Sequence, residues 1–149
     1  MSTAAGTNRN AGHTDGLSLN QKVAYVFGAI YILVGILGFF ASEGEPFIGK
    51  NGGELLGLFG VNGLHNIVHL LIGFALVGAA RSGHLSARKT NMGIGIFYLV
   101  LGLLGFVIQD TPINLFALDV EDHLLHLASG AVLFFVSRKE DDHAHARTA

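Results

Sequence analysis

The sequence predicts an all-α integral membrane protein, a four-helix bundle built from two tandem transmembrane hairpins. Three observations carry that prediction. Half of the 149 residues are apolar and only 13% are charged, against about a quarter charged in an ordinary soluble domain, and the mean hydropathy is +0.51. Apolar runs with few or no charges recur four times along the chain. Two blocks of sequence then repeat in the same order.

Residues 1–20 are polar, small and aperiodic, and are expected to form a disordered tail. The apolar run that follows is too long for a signal peptide, and Phe39-Phe40-Ala41 is not a small-x-small cleavage site. The first span, 23–41, has 19 residues without a charge, close to the roughly 20 that cross ~30 Å of hydrocarbon. The second, 63–80, is interrupted by His65, Asn66 and His69. The third, 92–109, has 18 uncharged residues. The fourth, 120–136, is the weakest, because Glu121, Asp122, His123 and His126 crowd its start. Residues 139–149 form a second charged tail, in which His143 and His145 are expected to be solvated.

Lys and Arg set the orientation. With the N-terminus inside, the inner segments carry Arg9, Lys22, Arg81, Arg88, Lys89, Arg138, Lys139 and Arg147, and the outer loops carry only Lys50. Both termini and the 81–90 loop are therefore expected on the cytoplasmic side of the membrane. The outer loops hold Glu43, Glu45, Glu54, Asp110 and Glu121.

Several function classes are excluded. The chain has no Cys, so disulfide scaffolds, zinc-thiolate fingers, iron–sulfur clusters, thiol catalysis and c-type haem attachment are out. A formal charge of −2 with scattered basic residues argues against nucleic acid. The expected partners are the lipid bilayer and, in a structural role, a second copy or another subunit of a membrane complex. No Ser/His/Asp set, phosphate-cradling loop or dinucleotide fingerprint is present, and no residue set nominates a reaction.

The repeat is specific. Gly28, Tyr31, Gly35, Gly38 and Phe39 recur sixty-seven positions on as Gly95, Tyr98, Gly102, Gly105 and Phe106. Leu58, Phe59, Asn62, His65, Asn66, His69 and Gly73 align fifty-seven positions on with Leu115, Phe116, Asp119, Asp122, His123, His126 and Gly130. Each copy is a two-span hairpin, so the copies run parallel about a pseudo-twofold axis along the membrane normal. The second helix of each hairpin is expected near its mate, and the matched glycines are expected to let backbones approach closely.

The polar residues of spans two and four are the only chemistry in sight. Asn62, His65, Asn66 and His69 fall at i, i+3, i+4 and i+7, and Asp119, Asp122, His123 and His126 repeat the spacing. Each set shares one helix face, and polar groups in a membrane helix face the bundle interior or a water-filled cavity. The arrangement predicts a polar pocket open to the outside, with His69 and His126 deepest. Tyr31 and Tyr98 are candidate hydrogen-bond partners for those two.

Several roles fit these residues. Asn62 and Asp119 sit where N-caps belong, and Asp122 fits the carboxylate of a capping box. His65, Asn66 and His123 lie near the helix ends, where water could reach them. His69 and His126 could simply join helices by a hydrogen bond, worth ~0.6 kcal/mol on average. Alternatively, His65, His69, His123 and His126 could ligate zinc or copper, or hold a non-covalent haem. An Asp/His pocket could also respond to external pH. The default reading needs no cofactor: a small structural or partner-binding membrane protein.

The stretch Leu58-Phe59-Gly60-Val61-Asn62-Gly63-Leu64-His65-Asn66-Ile67-Val68-His69-Leu70-Leu71-Ile72-Gly73, with the four-span layout over about residues 20–138, resembles a family of small actinobacterial membrane proteins catalogued as domain of unknown function 4383. The resemblance implies an integral membrane protein of unassigned role and supplies no catalytic residues.

Overall fold

The structure is a computed structural model that describes residues 16–139. The expectations for the outermost tails, residues 1–15 and 140–149, lie outside them. Four helices, α1 (Leu19–Ala41), α2 (Gly63–Arg81), α3 (His84–Ile108) and α4 (Val120–Ser137), are each long and apolar enough to cross a membrane. α1 packs along α2 and α3 along α4, and these two hairpins form the bundle.

Two helices begin earlier than hydropathy indicates. α1 starts inside the expected tail, where Ser18 and Gln21 form a capping box. α3 takes up most of the expected 81–90 loop, because Gly83, at φ 114°, turns the chain sharply out of α2. Apolar runs mark the part of a helix suited to lipid, whereas the backbone ladder continues into polar residues until a cap stops it.

The interior is small and polar and the surface is apolar. The buried positions of α1 are Asn20, Ala24, Gly28, Tyr31, Gly35 and Gly38, and those of α3 are Ala87, Asn91, Gly95, Tyr98, Gly102 and Gly105. Every pair is sixty-seven positions apart. Large side chains point outward, with Phe40 74% and Val107 76% exposed. A soluble protein hides such groups, whereas a helix surrounded by hydrocarbon can display them.

The hairpins are built alike. A Cβ on Gly28 would lie 2.9 Å from Gly73 O, and one on Gly130 2.9 Å from Gly95 O, so the two pairs mark equivalent close crossings. At the opposite end from the long loops, Gln21 Nε2 donates to Ala80 O and Arg88 Nε to Ser137 O, each at 2.9 Å. These bonds also correspond under the repeat.

Across the bundle centre, Tyr31 meets Tyr98 edge-on with ring centroids 5.5 Å apart. α2 and α4, expected as close mates, meet through histidine rings while their backbones stay apart. The bulk of the Tyr and His side chains along the axis keeps them separated.

The long loops add structure that helical periodicity does not reveal. Strands β1 (Gly53–Leu55) and β2 (Phe59–Val61) form an antiparallel hairpin, with Gly53 opposite Val61. Gly49 bridges to the second loop, its N–H donating to Leu115 O and its carbonyl accepting from Ala117 N. Asn62 Nδ2 ties the junction by donating to Gly49 O and Leu115 O, both at 2.9 Å.

Candidate metal centre

The site grows from the two helix starts beneath these loops. Asn62 caps α2 by accepting from His65 N, and Asp119 caps α4 by accepting from Asp122 N. Asp122 completes the capping box, its Oδ2 accepting from Asp119 N at 3.2 Å. The second Asp119 oxygen accepts from Gly60 N at 2.8 Å, which pins the β-hairpin to α4.

Each stripe then divides between two directions. Asn66 turns toward its own hairpin partner α1, against Gly38, and donates to Ser42 Oγ at 3.0 Å. His123, the repeat mate of Asn66, turns the same way toward α3, against Gly105, with its ring 5.0 Å from that of Phe106. His123 is therefore removed from the candidate ligands: the close approach at Gly105 holds its ring on the α3 side.

His65, His69 and His126 point instead to the bundle centre. Their available ligand atoms all lie within 4.8 Å of one another, and the three residues are only 3%, 5% and 3% exposed. Nε2 of His65 and Nε2 of His69 are 2.8 Å apart, and His65 Nδ1 lies 3.0 Å from Gly60 O. A carbonyl only accepts, so His65 carries its proton on Nδ1 and offers the Nε2 lone pair toward its neighbours. Without a bound ion, His69 Nε2–H donates to that lone pair. Nδ1 of His69 and Nδ1 of His126 find no hydrogen-bond partner among the described residues.

The tyrosines are at the site but not in the expected role. Tyr31 meets His69 edge-on at 5.3 Å, and Tyr98 stacks on His126 at 4.8 Å with planes 14° apart. No Tyr–His hydrogen bond forms among the described residues, because the rings meet by face and edge. The tyrosines wall the imidazoles and fix their planes.

The expected open pocket is also revised. The three imidazoles line a cavity of about 20 Å³ together with Tyr98, Phe116 and Leu118, large enough for about one water. Phe116 and Leu118 belong to the second loop, which the Gly49 and Asn62 bonds draw over the helix starts. Of the eight polar residues expected in the pocket, Asp119 alone lines the open depression beyond this roof. Gly60, Phe116 and Leu118 were not singled out by spacing, since loop residues have no helical period to place them. This cavity is too small for a porphyrin, while a separate apolar cavity of about 320 Å³ between α1 and α4 also reaches His69.

Three neutral imidazoles suit zinc or copper. Two nitrogens on one tetrahedral ion with ~2.0–2.1 Å bonds stand about 3.3 Å apart, so His65 and His69 would part by about half an ångström to admit it. The Gly60 carbonyl already fixes the tautomer of His65, as outer-sphere partners of metal-bound histidines do.

A family model described as a domain of unknown function (DUF4383) matches residues 21–137. No curated protein and no solved structure matches the chain.

Proposed function

Starting from the premise that the chain belongs to the DUF4383 family, we propose that this four-span membrane protein binds one zinc or copper ion on His65, His69 and His126. The observation that carries the reading is the convergence of three buried imidazoles whose ligand atoms lie within 4.8 Å. Imidazoles inside a membrane bundle mark a functional site by default. Three protein ligands beside a water-sized cavity leave a fourth position open, as in zinc sites that act on a bound molecule rather than brace a fold.

A second reading has one observation in its favour. The 2.8 Å separation of His65 and His69 suits a hydrogen bond, so the cluster could serve packing in a structural or partner-binding protein. The two readings differ in metal content. Purified protein in detergent, loaded with Zn²⁺ or with copper under reductant and dialysed, is expected to retain one ion per chain by elemental analysis. H69A and H126A should lose it, and H123A should keep it. A folded wild-type protein that retains none, or equal loss in H123A, overturns metal binding at this cluster.

The Lys and Arg distribution supports placing the long loops outside a bacterial cytoplasmic membrane and both termini inside. The chain has no native Cys, so single cysteines at Glu54 and Ser82 test this directly. An impermeant thiol reagent applied to intact cells should label the first and spare the second.

A further inference from the structure

We propose that the acidic depression on the loop end is the route by which a hydrated metal cation reaches the three histidines, with the Leu118 side chain as the plug between them. The inference rests on the metal-binding reading above and concerns how that site is filled.

The depression is an open cavity of about 460 Å³, and Glu54, Asp110, Asp119 and Glu121 line it against a single Lys50. Acidic groups alone would attract counter-ions without any further consequence. What gives this cluster direction is the site beneath it. Leu118 lines both the depression and the histidine cavity. On the far side of Leu118 lie the three buried imidazoles of His65, His69 and His126, whose ligand atoms converge within 4.8 Å.

The wall is built so that a side chain can move while the backbone stays. Asn114 grips Leu118 on both sides, its Oδ1 accepting from Leu118 N at 3.1 Å and its Nδ2 donating to Leu118 O at 2.9 Å. A change of the Leu118 rotamer needs no break in these bonds. The wall is also wired to a ligand. Asp119 Oδ2 accepts from Gly60 N at 2.8 Å, and the Gly60 carbonyl lies 3.0 Å from His65 Nδ1.

The competing paths are lateral: one between α2 and α3 past Val68, Phe97 and Leu101, which also line the histidine cavity, and one between α1 and α4, where an apolar cavity of about 320 Å³ reaches His69. Both begin in hydrocarbon, where a charged ion loses its hydration with nothing in exchange. The acidic depression offers carboxylates in place of water until the imidazoles take over. Charge-lined clefts of this kind raise association rates by about 10–10³-fold.

The test measures loading of metal-free protein in detergent with Co²⁺ alone, followed by its visible absorption in a stopped-flow instrument. The E54Q/D110N/E121Q variant spares Asp119 and every histidine. It should load about 10-fold more slowly at low ionic strength, with a flatter salt dependence and still one ion per chain. L118F should slow both loading and release, and L118A should speed both, because a plug alters the barrier and not the end states. Wild-type rates in the triple variant and in both Leu118 variants, with one ion still bound, overturn the route and leave the site standing. Wild-type protein that takes up no Co²⁺ overturns site and route together.

Discussion

Replacing Gly73 by alanine places a methyl group where α1 and α2 cross. Its Cβ would stand 2.8 Å from Gly28 O and 2.9 Å from Ile32 N, both backbone atoms, whereas ordinary van der Waals contact begins at 3.4 Å. The helices must therefore part by about half an ångström. A gap of that order forfeits a quarter or more of each neighbouring dispersion contact, worth ~0.1–0.2 kcal/mol apiece. Overpacking of this kind costs about 1–3 kcal/mol. Alanine also regains up to ~1 kcal/mol of helix propensity over glycine, so the informative comparison is with a glycine that has room. Gly78 and Gly93 have nothing within 4 Å of an added Cβ. G73A should be less stable than G78A by about 1–3 kcal/mol. G130A, whose Cβ meets Gly95 O and Leu99 N at 2.9 Å, should trail G93A by a similar margin. Unfolding in mixed micelles of rising dodecyl sulfate fraction, followed by far-ultraviolet circular dichroism, reads these differences. Equal stability across all four variants would refute the close crossing. A penalty at Gly73 without one at Gly130 would refute the equivalence of the hairpins.

Four further outcomes are expected. N62A removes the cap on His65 N and one of the two hydrogen bonds accepted by each of the Gly49 and Leu115 carbonyls; a loss of about 2–4 kcal/mol is expected, and a loss under about 0.5 kcal/mol in the same titration counts against the loop junction. D119A frees Gly60 N, so amide exchange in β2 should quicken about 5- to 150-fold for a lost bond of ~1–3 kcal/mol; unchanged exchange shows that the latch lies elsewhere. N91A removes both bonds that Asn91 Nδ2 donates to Asn20 and leaves the buried Asn20 Oδ1 without a donor, so it should cost ~1–2 kcal/mol, whereas N20A leaves Asn91 Nδ2 bonded to the Asn20 carbonyl and should cost less; equal losses would refute this asymmetry. The H123L protein should be as stable as wild type or up to ~1–2 kcal/mol more so, because both ring nitrogens are buried without partners among the described residues; a loss in thermal unfolding would reveal one.

The bundle was legible in the sequence because lipid imposes a simple rule. Every buried glycine of α1 and α3 sits where the repeat puts it, since a helix fixes the face once its period is known. The capping roles of Asn62, Asp119 and Asp122 were legible for the same reason, being local to one turn. The division of the stripes was not. His65 and Asn66 are adjacent, about 100° apart, and both fall within the inward arc. A small rotation of α2 decides which faces α4 and which faces Gly38. The same rotation of α4 sends His126 to the centre and His123 to Gly105.

Helical period and the exclusion of charge from hydrocarbon were enough to place the four helices, their pairing into two like hairpins and the inward-facing polar stripes. The assembled bundle brings three histidines, and not four, together. It alone placed tyrosine rings rather than hydroxyls against them, and closed the pocket with Phe116 and Leu118. Those outcomes depend on helix rotation, on how closely glycine lets backbones approach, and on hydrogen bonds between loops more than fifty residues apart, such as Asn62 to Leu115. None of these is written in the spacing of a single helix.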